Sequence, residues 1–320
     1  MTRSALMIKA KNTTGKRTVD RIVKYFFLST AVLSASFIFI IAWIILIRGI
    51  TPFTTDNGGL GTVDLLRFLT GGVWLEGQAF VSTLYGVGFL IVSTLYITFL
   101  SLLIAAPVGV LTALFIAKTA SKPLARALRT VVETLAAIPS IIYGLFGAGI
   151  ILKLVYDFSA AIGYQSKGGN SILATALVLA LMTIPTITAI SEVAIRSVDK
   201  TLEEGSLALG ASQTQTKFKV VLAAAKSGIF TAIILGVGRA LGEATAVSLV
   251  AGGRRSGFSF ALLDTTSTLT TIMLEGLKET TGIDYDIRFS VGLVLLAVIL
   301  ITNLILNAIK RRVGTIRVKE

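Results

Sequence analysis

The sequence contains neither cysteine nor histidine. Their absence excludes disulfides, thiolate nucleophiles, Cys/His zinc sites, imidazole bases and histidine proton relays, and with them most catalytic constellations. Charge is scarce as well. Only 15% of the residues are Asp, Glu, Lys or Arg, against 54% apolar, and the mean hydropathy is +0.84. That is too oily for a water-soluble domain of 320 residues. An ATP-binding loop is missing too: TTGKRT at 13–18 has Ala10 where the first glycine of such a loop belongs and Arg17 where it needs Ser or Thr. What remains is an all-α integral membrane protein.

Runs of about 20 apolar residues fall near 25–47, 85–117, 132–156, 171–195, 228–252 and 289–309. The basic stretch before the first run resembles the start of a signal peptide, but no small-residue cleavage site follows, so the run reads as a retained span. No charge lies between Glu76 and Lys118, so that stretch could be one long span or two short ones. Charge partition separates the two. With six spans, one side carries 21 Lys and Arg and the other eight; with seven, the partition becomes 13 against 16. Cytoplasmic loops hold the excess of Lys and Arg, so the sequence predicts six spans with both termini cytoplasmic. The formal charge of +13 is then a topological signal, and no nucleic-acid partner is expected.

Between spans four and five lies RSVDKTLEEGSLALGASQTQTKFKVVLAAAKSG, long for a simple turn. Asp199 is placed as an N-cap, Leu202, Leu207 and Leu209 supply an apolar side, and Gly210 stops the helix. A second helix follows the break. Two short helices there form either a projection suited to another protein's groove or an interfacial helix resting on headgroups.

The stretch EEGSLALGASQTQTKFKVVL resembles the cytoplasmic coupling motif of bacterial ABC importer permeases. Glu204, Gly210 and Leu222 match it, Gly205 and Ser206 stand in place of its alanines, and Ala223 stands in place of its proline. Further segments, YGVGFLIVSTLYITFLSLLIAAPVGVLTALFIAKTA, ETLAAIPSIIYGLFG, LVLALMTIPTITAISEVAIRSV and GRALGEATAVSLVAGG, resemble the permeases of the phosphate-specific importer, the PstC type more than the PstA type.

The resemblance implies a type I importer permease fold with coupling helices between spans four and five, in a bacterial inner membrane. Residues 1–24 and 310–320 would be basic cytoplasmic tails, 25–84 the first span and its outer loop, and 85–309 the permease domain. It also implies the partners: a second permease, two ATPase subunits that bind ATP and Mg, and an extracytoplasmic phosphate-binding protein, with membrane lipid around them. The chain itself would be no enzyme and bind no cofactor. Glu204, Gly205, Ser206, Gly210 and Leu222 would meet the ATPase.

Inside the fifth apolar run, GRALGEATAV places Arg239 and Glu243 four residues apart. On a helix both would share one face and could pair. A lone arginine in a bilayer is costly, so the pair should face the bundle interior or a watery path. It is either a structural salt bridge or part of a substrate pathway, with Arg239 bonding an oxyanion bidentately and Glu243 easing its release. Gly238 and Gly242 form a GxxxG that would admit a neighbouring backbone.

Pro107, Pro139 and Pro185 are read as helix kinks, Glu133 as a helix N-terminal charge, and Thr183, Thr186 and Thr188 as threonines that satisfy their own backbone. The outer loops carry Asp56, Asp64, Glu76, Arg254, Arg255, Asp264, Glu275, Asp284 and Asp286 and would receive the binding protein. The resulting reading is a pore-forming subunit that moves phosphate by alternating access. Sulfate or molybdate is the alternative substrate. A secondary transporter is disfavoured because it needs further intramembrane carboxylates, and an intramembrane enzyme because no nucleophile and base are paired.

Overall fold

The computed structural model describes residues 3–56, 61–75 and 84–314; Glu76 and the tail beyond Gly314 lie outside them. Among the described residues six helices are long and apolar enough to cross a membrane. The first, α1 (Arg3–Thr54), packs on the last and is otherwise exposed along its apolar length. A short α2 (Leu65–Thr70) follows, capped by the Asp64 carboxylate on Arg67 N, and leads to the second span, α3 (Gly88–Lys118).

The next segment departs from the expected third span. Residues 122–137 form an amphipathic helix of their own, α4 (Lys122–Ala137), and Ile138 and Pro139 break the chain before the third span, α5 (Ser140–Ala161). Pro139 cannot donate a helical hydrogen bond and disfavours helix at the residue before it. The Tyr143 hydroxyl spans the break by donating to Leu135 O at 2.8 Å. Glu133 therefore sits on α4 rather than at the start of a span.

Span four, α6 (Ile172–Arg196), is the most enclosed helix. Ser171 caps its start by accepting from Ala174 N at 3.1 Å. After it come α7 (Lys200–Ala208) and the fifth span, α8 (Gln213–Leu241), which contains a π-helical turn at Thr216–Val221. The second helix of the loop is thus continuous with span five. Ala223 keeps the backbone N–H that a proline would lack, so nothing breaks the helix there.

The fifth span ends at Leu241 instead of running on to 252. Beyond it the chain makes α9 (Thr245–Ser248), an irregular stretch, α10 (Leu269–Leu274) and the last span, α11 (Ile283–Gly314).

Helices α3, α6 and α8 form the centre of the bundle. Ile187 on α6 is fully buried, and a Cβ placed on Gly109 of α3 or Gly236 of α8 would come within 2.9 to 3.0 Å of its side chain. Two glycines thus let three helices close around one isoleucine. Gly228 does the same against Ala194. The expected GxxxG contact is not made within the chain: a Cβ on Gly238 meets nothing within 4 Å, and one on Gly242 meets only its own helix's carbonyls.

At the end of the bundle where α3 begins, a packed cap buries Phe68, Trp74, Tyr85, Leu269 and Ile272. Arg288, almost wholly buried, donates to Ile272 O at 2.7 Å and holds the end of α10.

Filling and emptying the same site should partly compensate. Gly236→Val is expected to destabilise by about 1–3 kcal/mol through overpacking and Ile187→Ala by about 2–5 kcal/mol through a cavity. The double variant should lose less than their sum, by about 0.5–3 kcal/mol. Thermal unfolding in detergent reads all three.

Candidate functional site

Arg239 lies in the last turn of α8, and its Nη1 donates to Thr186 Oγ1 on α6 at 2.7 Å. Thr186 stands near the middle of α6, about 21 Å from Ile172 and about 15 Å from Arg196 at about 1.5 Å rise per residue. That contact places the guanidinium at mid-depth. Val250 O accepts from Ser171 N at the start of α6, so residues 242–250 climb from mid-depth to the level where α6 begins without a continuous helix.

The expected ion pair does not form. Helical spacing would have put Arg239 and Glu243 together, but the helix ends between them, at Leu241. Glu243 turns to the next element, where its Oε1 accepts from Ala246 N at 2.9 Å and caps α9. The carbonyl of Glu243 accepts from the Thr270 hydroxyl at 2.7 Å. Arg239 relies instead on the C-terminal end of α8, where the unsatisfied carbonyls carry roughly half a negative charge. Each member of the expected pair therefore serves a different helix end. Both are partly buried, and the guanidinium keeps donors in excess of the one Thr186 engages.

Thr183 bonds its own backbone, to Leu179 O at 2.6 Å, whereas Thr186 is the arginine's partner and Thr188 is buried with no hydrogen bond to its hydroxyl. Of the three threonines, the helix-satisfying expectation holds for Thr183 alone.

Near the Arg196 end of α6 a carboxylate emerges that the sequence reading did not single out. Glu192 of α6 is 4% exposed. Its Oε1 accepts from Arg129 Nη2 of α4 and from Arg196 Nε of its own helix, both at 2.7 Å. The two arginines remain about two-fifths exposed. The triad fastens the amphipathic α4 to α6.

The coupling loop is built as a rigid corner. Thr201's backbone N–H and hydroxyl hold the Asp199 carboxyl below its usual range, so this cap is present at neutral pH and weakens only as pH falls through that depressed value. Gly210, at φ +84°, ends α7: its N–H bonds Leu207 O and Ala211 N bonds Ser206 O, two bonds that need the left-handed residue. The Ser206 hydroxyl shares a hydrogen bond with Thr216 at 2.9 Å, and Glu203 pairs with Lys118 at the end of α3. Leu209, 91% exposed, and the half-exposed Leu202, Leu207 and Phe218 remain uncovered. Glu204 and Gly205 are exposed on α7, and a Cβ on Gly205 would meet nothing within 4 Å; Leu222 is partly buried.

The loop charges expected to receive the binding protein are largely tied down within the chain. Asp286 pairs with Arg48, Asp264 with Arg254, and Glu275 with Arg255; Asp284 accepts from Tyr85, and Asp56 accepts from Gly61 N. The Tyr164 hydroxyl, with Ser259 and Arg254, holds the Asp264 carboxyl below its usual range, and that hydrogen bond in turn pushes the Tyr164 phenol up.

Residues 105–315 match the family described as binding-protein-dependent transport system inner membrane component. The chain belongs to this family. It is 36% identical over 268 residues to a probable ABC transporter permease, YqgH, of Bacillus subtilis, covering 83% of this chain and 82% of that one. It is 32% identical to the phosphate transport system permease protein PstC 1 of Mycobacterium bovis (80% and 85% covered) and 32% identical to PstC of Pasteurella multocida (78% and 81%). Its fold is similar to that of a bacterial ABC transporter involved in the import of the acidic polysaccharide alginate, with a TM-score of 0.59 at 19% identity, covering 93% of this chain and all of that one. As a binding-protein-dependent permease the chain is a multi-pass inner-membrane transport subunit of an ABC importer. The family's name and class imply an ATPase and a substrate-binding protein as partners.

The open face of α7 offers a clean test of its part in docking. Gly205→Leu should leave this subunit's own stability unchanged, because its side chain enters open space, while the ATPase subunit co-purifies in much reduced yield. Unchanged co-purification together with normal transport would remove α7 from the interface. Gly210 is a poorer probe, since any side chain there strains a left-handed residue.

Proposed function

We propose that this permease conducts inorganic phosphate, with Arg239 as the mid-depth contact for the anion. The observation that carries the reading is an arginine at mid-depth whose side-chain partner is a neutral hydroxyl, beside a helix end. A guanidinium matched to tetrahedral oxyanions by its fork then keeps capacity for a passing ion. Irregular backbone at this depth is tolerated where it is buried in protein or lines a watery cavity, and residues 242–250 are such a stretch. Relatives named as phosphate transport permeases support the choice of ion. Glu243, two residues past the helix end, tempers the field and keeps the anion from being trapped.

In this reading the chain performs no chemistry. ATP and Mg are held by two ATPase subunits, which Glu204, Gly205, Ser206, Gly210 and Leu222 address from the cytoplasm. A second permease completes the pore, and an extracytoplasmic binding protein delivers phosphate. Both termini are cytoplasmic. Cysteines introduced at the exposed Ser121 and Gln213 of this cysteine-free chain should resist an impermeant thiol reagent in intact cells and react after permeabilisation. Ready labelling from outside would reverse the orientation.

The decisive measurement uses the assembled transporter in proteoliposomes with its binding protein. Phosphate should stimulate ATP hydrolysis where sulfate and molybdate do not. Arg239→Ala should assemble normally, because no buried partner is left unpaired, yet lose phosphate uptake by roughly tenfold or more, the scale of one charge-assisted hydrogen bond of about 1.5–3 kcal/mol. Arg239→Lys should recover part of it, keeping charge and losing the fork. Full uptake by the alanine variant would leave Arg239 a structural residue, and stimulation by sulfate or molybdate in place of phosphate would change the substrate.

A further inference from the structure

Just past the climb from Arg239, the chain opens a polar cavity of about 340 Å³ at the outer face. Its walls come from Gly252, Gly253, Arg254, Arg255 and Ser256, from Thr265, and from Lys167 in the turn between α5 and α6. Three cationic residues thus line it from two separate segments, together with two hydroxyl-bearing residues. Gly252 and Gly253 both hold positive φ, 89° and 66°, a path that L side chains rarely follow.

These walls are fixed rather than loose. Thr266 N donates to Ala251 O at 2.8 Å and Arg254 N to Thr266 O at 3.2 Å, while Trp74 N donates to Arg255 O at 2.8 Å. A Cβ on Gly252 would lie 2.9 Å from Asn170 Cβ, and Asn170 Nδ2 donates to Lys167 O at 3.1 Å, so the lysine turn is seated against the glycine wall.

The carboxylates nearby orient the cations without filling the cavity. Arg254 gives Nη1 to Asp264 at 3.3 Å and Nε to Ser256 O at 2.9 Å, and Tyr164 holds the other oxygen of Asp264. Arg255 Nη2 meets Glu275 at 3.0 Å. Asp264 engages one edge of the Arg254 guanidinium, which has five donors. Neither Asp264 nor Glu275 is among the residues that line the cavity. Lys167 enters no ion pair among the described residues, and its ammonium lies on an exposed turn. Converging cations, hydroxyls and glycine backbone are the donor set of a small tetrahedral oxyanion; a carboxylate-rich protein surface would need a broader, flatter array.

We propose that this outer cavity is a second oxyanion site, a receiving station for the ion before it reaches Arg239. Its existence does not depend on which ion is carried; that the ion is phosphate rests on the reading above. Lys167 and Arg254 supply the directional donors, Arg255 adds charge, and Ser256 and Thr265 complete the shell.

The test is equilibrium binding of radiolabelled inorganic phosphate, and separately sulfate, to the assembled transporter without its binding protein, in an Arg239→Ala background that silences the inner contact. The complex should retain a phosphate-binding component that competes with excess cold phosphate, and Lys167→Gln together with Arg254→Gln should weaken it by roughly tenfold or more, the scale of losing charge-assisted hydrogen bonds. Lys167→Gln alone, at an exposed turn, should weaken it severalfold and carries the test where the double variant assembles poorly.

Absence of any such component for either anion, or one indifferent to Lys167→Gln, overturns the site. Sulfate binding that is lost in these variants, with no phosphate binding, keeps the site and overturns the choice of phosphate. Weaker docking of the binding protein to the variants, with phosphate binding unchanged, also overturns the site by making the cations a docking surface.

Discussion

In a bilayer every backbone N–H and C=O must find a partner inside the protein or in trapped water, and the end of α8 at Leu241 is where this constraint organises the molecule. A helix that stops at mid-depth exposes carbonyls that lipid cannot serve. The chain answers by folding the next forty residues back over the stop. Thr270 takes the Glu243 carbonyl, Glu243 caps α9, and Thr94 Oγ1 accepts from Leu269 N at 3.0 Å to seat α10. The same stop creates a negative helix end, which is what allows a cation two residues earlier to persist without a carboxylate beside it. The charge at mid-depth follows from the break in the backbone.

Such a stop can exist only inside a tight shell, and the shell is made by small residues. Gly109 and Gly236 admit Ile187 between α3, α6 and α8, while Gly144 and Gly147 of α5 bring that helix against Ala246, Leu249, Val178 and Val250. Glycine at these positions sacrifices side-chain packing for backbone approach, the usual trade in membrane bundles. Gly238 faces away from all of this, on the side where Arg239's helix meets no other element of the chain. A one-chain bundle therefore closes three sides of α8 and leaves one for a neighbour or for water.

Much of this was readable in the letters. Six spans followed from hydropathy and from the partition of Lys and Arg, because both report on the bilayer directly. Asp199 and Gly210 announced the ends of α7, since capping chemistry is local. The stop at Leu241 was not readable: Gly242 reads equally as half of a GxxxG inside a helix and as the glycine that ends one, and tertiary hydrogen bonds from α10 decide between them. Pro139 split what a sliding hydropathy window joined, so the end of the amphipathic α4, from residue 132, was absorbed into span three. Glu192 was missed because a carboxylate four residues before Arg196 looks like an ordinary surface pair. Its third partner, Arg129, is distant in sequence, and only the packing of α4 on α6 reveals it.

From outside to inside, the cations are restrained in three different ways. At the outer face, carboxylates hold the edges of Arg254 and Arg255. At mid-depth, a hydroxyl and a helix end support Arg239. On the cytoplasmic side, one buried carboxylate is shared by Arg129 and Arg196. Under the phosphate reading, the arginine with no carboxylate beside it lies at the centre, the point where desolvation by the bilayer is most severe. Where Arg129 and Arg196 share one carboxylate, compensation is intermediate. Conduction requires binding strong enough to enter and weak enough to leave. Under the phosphate reading, binding is strongest at Arg239, and the carboxylates on either side of it, Asp264 and Glu192, limit how firmly the flanking arginines can keep the ion.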